Sequence, residues 1–428
     1  MDRILNRVYS IKNHPISGFD EPFRLIYVKG LASCLFSLSN GSEIIKMVFR
    51  AWAQSILGVI PYDELFWHND IKAIKQAVSI HHKGLHFFSM KNSLFFDVFY
   101  LIQSEYPHCF EPSVAKNAFI FLSKNACNLF IKGSLKKTYQ FYTENTLYRK
   151  ISSSLLDHRL SNESFLDCPT KNVLIVANVS AGKSTLINAL IGYRLNVAKT
   201  TACTSKIGYI YNKPIEDGIT TRDEHNGYHH FSNVEEVNSD TFQAAALHFN
   251  STLSKYSICF IDTPGVNDIE NKRHKMITEE AIKAGDYDAV IYVSNCQYFG
   301  TNDEYNLLVT LKDNVKKPII FILNQLDRFK QKEDSISKML IDYQSDLKKM
   351  GFSKSFVVPV SARAALFLKV SEDMLDEDDI EERRSYHTQF QNPYYNLPAY
   401  CGVLDCNDAL SSTGIQYLEN LIETLLFT

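Results

Sequence analysis

Residues 177–184 read Ala-Asn-Val-Ser-Ala-Gly-Lys-Ser, between the apolar run Lys171-Asn-Val-Leu-Ile-Val and Thr185-Leu-Ile-Asn-Ala-Leu-Ile-Gly192. That order is strand, phosphate loop, helix, and it confines the chain to an α/β fold built around a nucleotide. Successive backbone N–H groups, aided by the positive end of the following helix, form a nest for a polyphosphate. Asn178, Val179, Ser180, Ala181 and Gly182 supply the loop, and Lys183, Ser184 and Thr185 the first helical turn. Lys183 is expected to reach the β and γ phosphates, and the Ser184 hydroxyl to bind Mg²⁺. Ala177 stands where this pattern has glycine, which is tolerable only if its backbone keeps a negative φ.

Three further elements follow in the order of a guanine-nucleotide site, each at the end of an apolar strand. Ser257-Ile-Cys-Phe-Ile261 runs into Asp262-Thr-Pro-Gly265. Asp262 is expected to hold Mg²⁺ through water, and the Gly265 N–H to sense the γ-phosphate. Pro318-Ile-Ile-Phe-Ile-Leu323 leads to Asn324-Gln-Leu-Asp327, which approximates the guanine-reading NKxD element. An Asp carboxylate accepts from N1–H and the exocyclic amine of guanine, whereas adenine offers an acceptor at N1. A buried acceptor left without a donor costs about 1–3 kcal/mol. Gln325 stands where lysine is usual, and its shorter neutral stem predicts weaker nucleotide affinity rather than altered base choice. Ser355-Phe-Val-Val-Pro-Val360 leads to Ser361-Ala-Arg363, where a backbone N–H is expected to meet the guanine carbonyl. Singly, each element is weak; the ordered set points to GTP and GDP.

The loop Ser180-Ala-Gly-Lys-Ser-Thr-Leu-Ile-Asn-Ala-Leu190 resembles that of the dynamin superfamily, bacterial dynamin-like proteins in particular. The resemblance covers about residues 168–428. It implies that Ser180 helps hold the transition-state phosphates and a monovalent cation in place of a partner's arginine. It implies a switch threonine before the second strand, for which Thr204 fits best and Thr200 and Thr201 remain open. Val266 follows DTPG where Ras-like proteins carry a water-positioning glutamine. The resemblance thus implies catalysis by Ser180, Lys183, Thr204 and Gly265, Mg²⁺ on Ser184, Thr204 and Asp262, and hydrolysis stimulated by pairing of GTPase domains. The Leu-Pro-x-Gly stretch of animal dynamins is here Leu195-Asn-Val-Ala198.

A chain of 428 residues with 45% hydrophobic content can bury a large core in about two to three domains. The expected fold is a P-loop GTPase domain at 166–428, a mostly parallel sheet flanked by helices, preceded by an all-helical domain at 1–165. Segments such as Glu43–Gln54, Asp70–Ala77 and Ala115–Leu122 carry apolar residues at i, i+3, i+4. The polar stretch Pro214–Gly227 is expected to be a mobile switch region. The acidic run Glu372–Glu382 falls in an insertion at about 366–411 before an amphipathic closing helix, Thr413–Leu426, and reads as solvated.

Residues 1–165 carry a net charge of +6 and the remainder −9. The positive charge of the helical module suits contact with an anionic membrane surface, nucleic acid or the chain's own acidic portion, although an ordinary solvated face is the commoner origin of so mild an asymmetry. A protein partner is also open, and nucleic acid is disfavoured because no basic-aromatic motif accompanies the charge. No apolar run reaches the roughly 18 residues of a spanning helix, and Met1-Asp-Arg-Ile-Leu-Asn-Arg7 lacks a secretory apolar region. The expected location is the cytoplasm, with peripheral membrane association left open. Nine cysteines without a CxxC pair read as reduced thiols, and His81-His82 and His229-His230 as structural or solvated. Because the chain ends soon after the nucleotide domain, membrane scission is a weaker inference than GTP hydrolysis. Two alternatives stay open: a slow nucleotide-gated recruitment module acting through its N-terminal helices, and an Era-like GTPase acting on RNA or ribosomes. The reading predicts that the purified protein binds GTP in clear preference to ATP, checked by competition titration; comparable affinities would overturn the base assignment.

Overall fold

A computed structural model describes residues 2–79, 90–106, 111–127, 129–144, 149–178, 180–195, 207–237, 242–264, 272–296, 302–353, 355–403, 406 and 408–428. Two compact units emerge. The first comprises Met1–Pro169 with Pro214–Thr221 and Asn226–Ser232; the second comprises Thr170–Lys213, Arg222–His225 and Asn233–Thr428.

The first unit is dominated by helices, among them Glu21–Ser39, Glu43–Leu57, Ile71–Ser79, Met90–Leu101, Pro112–Asn125 and Ser153–Asp167. Ser42 caps the second of these by accepting from the Ile45 N–H, and Gly58 in the left-handed region closes it, as cap chemistry requires. Met90–Leu101 is buried on nearly every side, the mark of a central helix. Its Asp97 Oδ2 accepts from Tyr27 Oη at 2.6 Å, and from His14 Nε2 and Trp52 Nε1 at 3.0 Å each, so three bonds compensate the burial of this oxygen. Close helix approach depends on Gly30, where a Cβ would come within 2.5 Å of Ala77 Cβ.

Within the stretch expected as a mobile switch region lies strand β3 (Ile219–Arg222), and strand β4 (Tyr228–Phe231) begins directly after that stretch. They are neighbours in the sheet order, and so short a connection admits only an antiparallel hairpin. The β-branched Ile219, Thr220 and Thr221 are buried, and Asn226 takes φ 61° before Gly227. That Asn-Gly step is a hairpin signal, obscured by the charged residues around it.

In the second unit the strands are β1 (Lys171–Ala177), β2 (Gly208–Asn212), β5 (Ala244–Leu247), β6 (Ile258–Asp262), β7 (Ala289–Asn295), β8 (Ile319–Asn324) and β9 (Phe356–Pro359). Their order is β5-β2-β6-β1-β7-β8-β9. Strands β6, β1, β7, β8 and β9 run parallel, and β2 is antiparallel to β6. Near-continuous apolar strands such as Val173–Ala177 and Val290–Val293 are buried, as parallel strands covered on both faces must be. The parallel run brings the carboxyl ends of five strands to one edge, where ligands of open α/β sheets bind.

Among the described residues no helix is long and apolar enough to cross a membrane, and no group of His, Cys, Asp and Glu could hold a metal on its own. Cys34, Cys259 and Cys296 are buried free thiols and Cys168 an exposed one. Cys109, Cys203 and the His81-His82 pair lie outside the described residues.

The helical core contains a proton-sensitive point. His158 packs against Trp52 and Tyr100 with ring centroids 5.3 and 5.7 Å away, and burial lowers its pKa to about 4. Because the folded-state value lies below the unfolded one, the unfolded chain takes up a proton that the folded chain refuses between about pH 6.5 and 4. Stability should therefore fall as pH drops through that window, by up to about 3 kcal/mol. Both tryptophans, Trp52 and Trp67, are in this unit, so denaturant unfolding followed by their fluorescence at pH 7.5 and 5 reads it directly. His158→Gln is expected to lose less stability on acidification than the wild type.

Candidate nucleotide site

Strand β1 ends at Ala177, which lies outside the positive-φ residues. The substitution is accommodated because the chain turns later, at Ser180 (φ 64°) and Gly182 (φ 89°). Gly182 precedes the helix Lys183–Ile191, and a Cβ there would come within 2.4 Å of Asn324 Nδ2. Positive φ and close approach together demand glycine.

The Lys183 ammonium meets the Asp262 carboxylate at the end of β6, and both side chains are almost fully buried, 8% and 4% exposed. The register that pairs Ile175 with Asp262 places that carboxylate beside the loop. Thr263 Oγ1 donates to Ile175 O at 2.8 Å, and Thr278 Oγ1 to Pro264 O at 3.0 Å; these tie the start of the DTPG turn to β1 and to the helix Lys272–Ala284. Ser184 and Thr185, on the first turn after Lys183, are partly exposed.

Asn324, Gln325, Asp327 and the Ser361–Arg363 turn converge on the same loop. Asn324 Nδ2 donates to Ala181 O at 2.9 Å, while its Oδ1 accepts the Ala362 N–H at 3.0 Å. Gln325, itself at φ 68°, donates from Nε2 to Ser180 O at 2.8 Å. Its shorter stem is thus long enough to bond the phosphate loop. Asn295 Nδ2 donates to the same carbonyl at 3.3 Å, a contributor without a motif to announce it; only its place at the end of β7 could have pointed to it. Ser361 Oγ donates to Asp327 Oδ1 at 2.5 Å, which orients the carboxylate expected to read guanine.

The Ser361–Arg363 turn is also tied into the fold by its own backbone. The Ser361 N–H goes to Thr413 O and the Ala362 N–H to Asn324, so two of its donors serve internal bonds. The Arg363 side chain turns to Glu382 through two hydrogen bonds of 2.6 and 2.7 Å. Asn178 Oδ1 and Gln325 Oε1 are buried with no hydrogen-bond partner among the described residues, so the region around the loop offers oxygen acceptors to a ligand or cation. Val179, Thr200, Thr201, Thr204, Gly265 and Val266 lie outside the described residues.

The Gln325 geometry generates a testable expectation. Gln325→Ala removes the link to Ser180 and should weaken GDP binding about threefold to tenfold, as one hydrogen bond would. Gln325→Lys should instead tighten it, because a longer cationic stem can cover the base and still reach the loop. Fluorescent-GDP titration of both variants checks this; a Lys variant that binds more weakly than the wild type would refute the expectation.

The profile of the Dynamin family matches residues 173–326. GTPase Era from Haemophilus influenzae strain PittGG is 25% identical over 194 residues, which is 45% of this chain and 49% of that protein. GTPase Era from Clostridium perfringens strain 13 / Type A is 27% identical over 195 residues, 45% of this chain and 50% of that protein. The chain therefore spans about half the length of the curated relatives it matches. Among solved structures, an oligomerised bacterial dynamin pair aligns over 95% of this chain and 69% of its own, at 16% identity and a TM-score of 0.39. The phosphate loop, the DTPG strand end and the Asn324–Leu326 strand end all fall inside the matched segment, so residues 173–326 are similar to the Dynamin family across these elements of the site.

Proposed function

We propose that this chain binds GTP and hydrolyses it to GDP and phosphate, and that nucleotide-dependent pairing of two GTPase domains stimulates turnover. The observation that carries the reading is the junction at Asn324, which bonds the phosphate loop to the base-reading elements and so holds both halves of a guanine-nucleotide site together.

Lys183 and the loop amides hold the phosphates and stabilise charge that develops on them. The Lys183 ammonium meets Asp262, a carboxylate suited to Mg²⁺. Lys183 would pair with the phosphates and Asp262 with the metal. The donor set fits a hard cation: the Ser184 hydroxyl, Asp262 and the switch threonine, assigned to Thr204, would hold Mg²⁺. When bound, the metal neutralises charge on the β and γ oxygens. Ser180 contributes phosphate or monovalent-cation contacts, Thr204 places the attacking water, and the Gly265 N–H senses the γ-phosphate. Asp327, oriented by Ser361, selects guanine. The helical module supplies the contact to a protein partner or an anionic membrane surface, and the location that suits this is the cytoplasm, peripheral to a membrane.

An Era-like action on RNA or ribosomes is a second reading, favoured by the matched relatives being GTPase Era. A slow nucleotide-gated module is the third, and the neutral Gln325 favours it. GTP and ATP turnover against protein concentration, with anionic liposomes or RNA added in turn and Lys183→Ala as the blank, separates them. The proposal expects GTP-specific turnover per molecule that rises with concentration and is abolished in the blank. A flat, slow rate supports the recruitment module, and dependence on RNA alone supports the Era-like reading.

A further inference from the structure

The acidic segment before the closing helix is not simply solvated. Asp376 caps the helix Glu377–Gln389. Glu377, Asp378, Glu381, Arg384, Ser385, His387 and Thr388 of this helix are exposed, whereas Asp379, Glu382, Tyr386 and Gln389 turn inward. The spacing of those four, i, i+3, i+7 and i+10, draws one stripe along a helix. Every member of the stripe contacts part of the nucleotide site or its support. Asp379 pairs with Arg194, which lies just before the segment assigned to the switch threonine and covers the Phe367 ring at 4.8 Å. Glu382 holds Arg363 in the two-pronged contact and accepts from Tyr386 Oη at 2.7 Å. The Tyr386 ring meets Phe367 edge-on at 5.9 Å. Gln389 Nε2 donates to the backbone carbonyl of Asp327 at 2.8 Å.

We infer that the stripe on Glu377–Gln389 is a specificity brace, with Glu382 and Gln389 as positioning residues for guanine selection by Asp327; this rests on the guanine-nucleotide reading above. Asp327 and Ser361 belong to separate segments, yet the Ser361–Asp327 hydrogen bond exists only if both are held in register. Gln389 fixes the backbone of the first. Glu382 fixes, through Arg363, the helix Ala362–Lys369 that Ser361 begins. Arg383 adds a bond from Nη1 to Val370 O at 3.0 Å just past the other end of that helix. One rigid element therefore sets the distance between the carboxylate that reads the base and the hydroxyl that orients it.

Inosine diphosphate lacks the exocyclic amine of guanine, so the ratio of its dissociation constant to that of GDP reports how well Asp327 is placed. The full chain is compared with Gln389→Met, which keeps volume and loses the donor, with Glu382→Gln, which keeps shape and loses charge, and with the solvent-face control Glu381→Gln. ADP is the third ligand, and thermal unfolding is followed in parallel. The brace predicts that the GDP preference over inosine diphosphate shrinks about threefold or more in the first two variants and holds in the control. An unchanged ratio in folded Gln389→Met or Glu382→Gln overturns the inference, as does an equal fall in Glu381→Gln. A wild-type protein that binds ADP as tightly as GDP overturns the guanine reading itself.

Discussion

The arrangement of the candidate site depends on the side chain of Asn324. It sits at the carboxyl end of β8, 2% exposed, and its amide is used from both sides: the donor reaches the phosphate loop and the acceptor takes the N–H of the first residue of the helix after β9. A buried amide engaged at both ends has one orientation. That orientation closes the space where a Gly182 side chain would lie, so the phosphate loop is shaped by the base-reading strand as much as by its own sequence.

Around this junction the parallel sheet does the coarse positioning and side-chain hydrogen bonds do the fine. Five strand ends share one edge, which brings Ala177, Asp262, Asn295, Asn324 and Pro359 into neighbouring positions from distant parts of the chain. Gln325 and Asn295 then both donate to Ser180 O, and Ser361 orients Asp327. Further out, the buried Lys369–Glu419 pair anchors the far end of the phosphate-loop helix. Lys369 Nζ donates to Ala189 O at 2.9 Å and to Glu419 Oε1 at 2.5 Å, and Glu419 also accepts the Thr252 N–H and hydroxyl. The closing helix Ile415–Phe427 thereby holds the base of the site.

Much of this was legible in the sequence because the motifs and the strand ends coincide: an apolar run followed by a short polar motif names both a strand and what it carries. The helices Glu43–Leu57 and Pro112–Asn125 were legible for a similar reason, since their apolar residues recur at helical spacing. Two features escaped. The β3–β4 hairpin was hidden because a charged loop outweighed three β-branched residues and an Asn-Gly step. The inward stripe of Glu377–Gln389 was hidden because it is polar: a search for apolar periodicity sees an acidic helix with no buried side, although Asp379, Glu382 and Gln389 are spaced as a contact face. The sequence marks Gln325 only as a shorter, neutral stem; that the left-handed backbone there lets its amide reach Ser180 O is visible only in the structure.

The central claim is that the phosphate loop and the base-reading turn act as one hydrogen-bonded unit through Asn324. Equilibrium binding of GDP and of inosine diphosphate to folded Asn324→Ala tests it. If the claim is right, GDP affinity falls at least about tenfold, the scale of leaving a buried hydrogen-bond partner unmade, and the preference for GDP over inosine diphosphate shrinks in the same variant. Loss of affinity with the preference intact, or no loss at all, would contradict it.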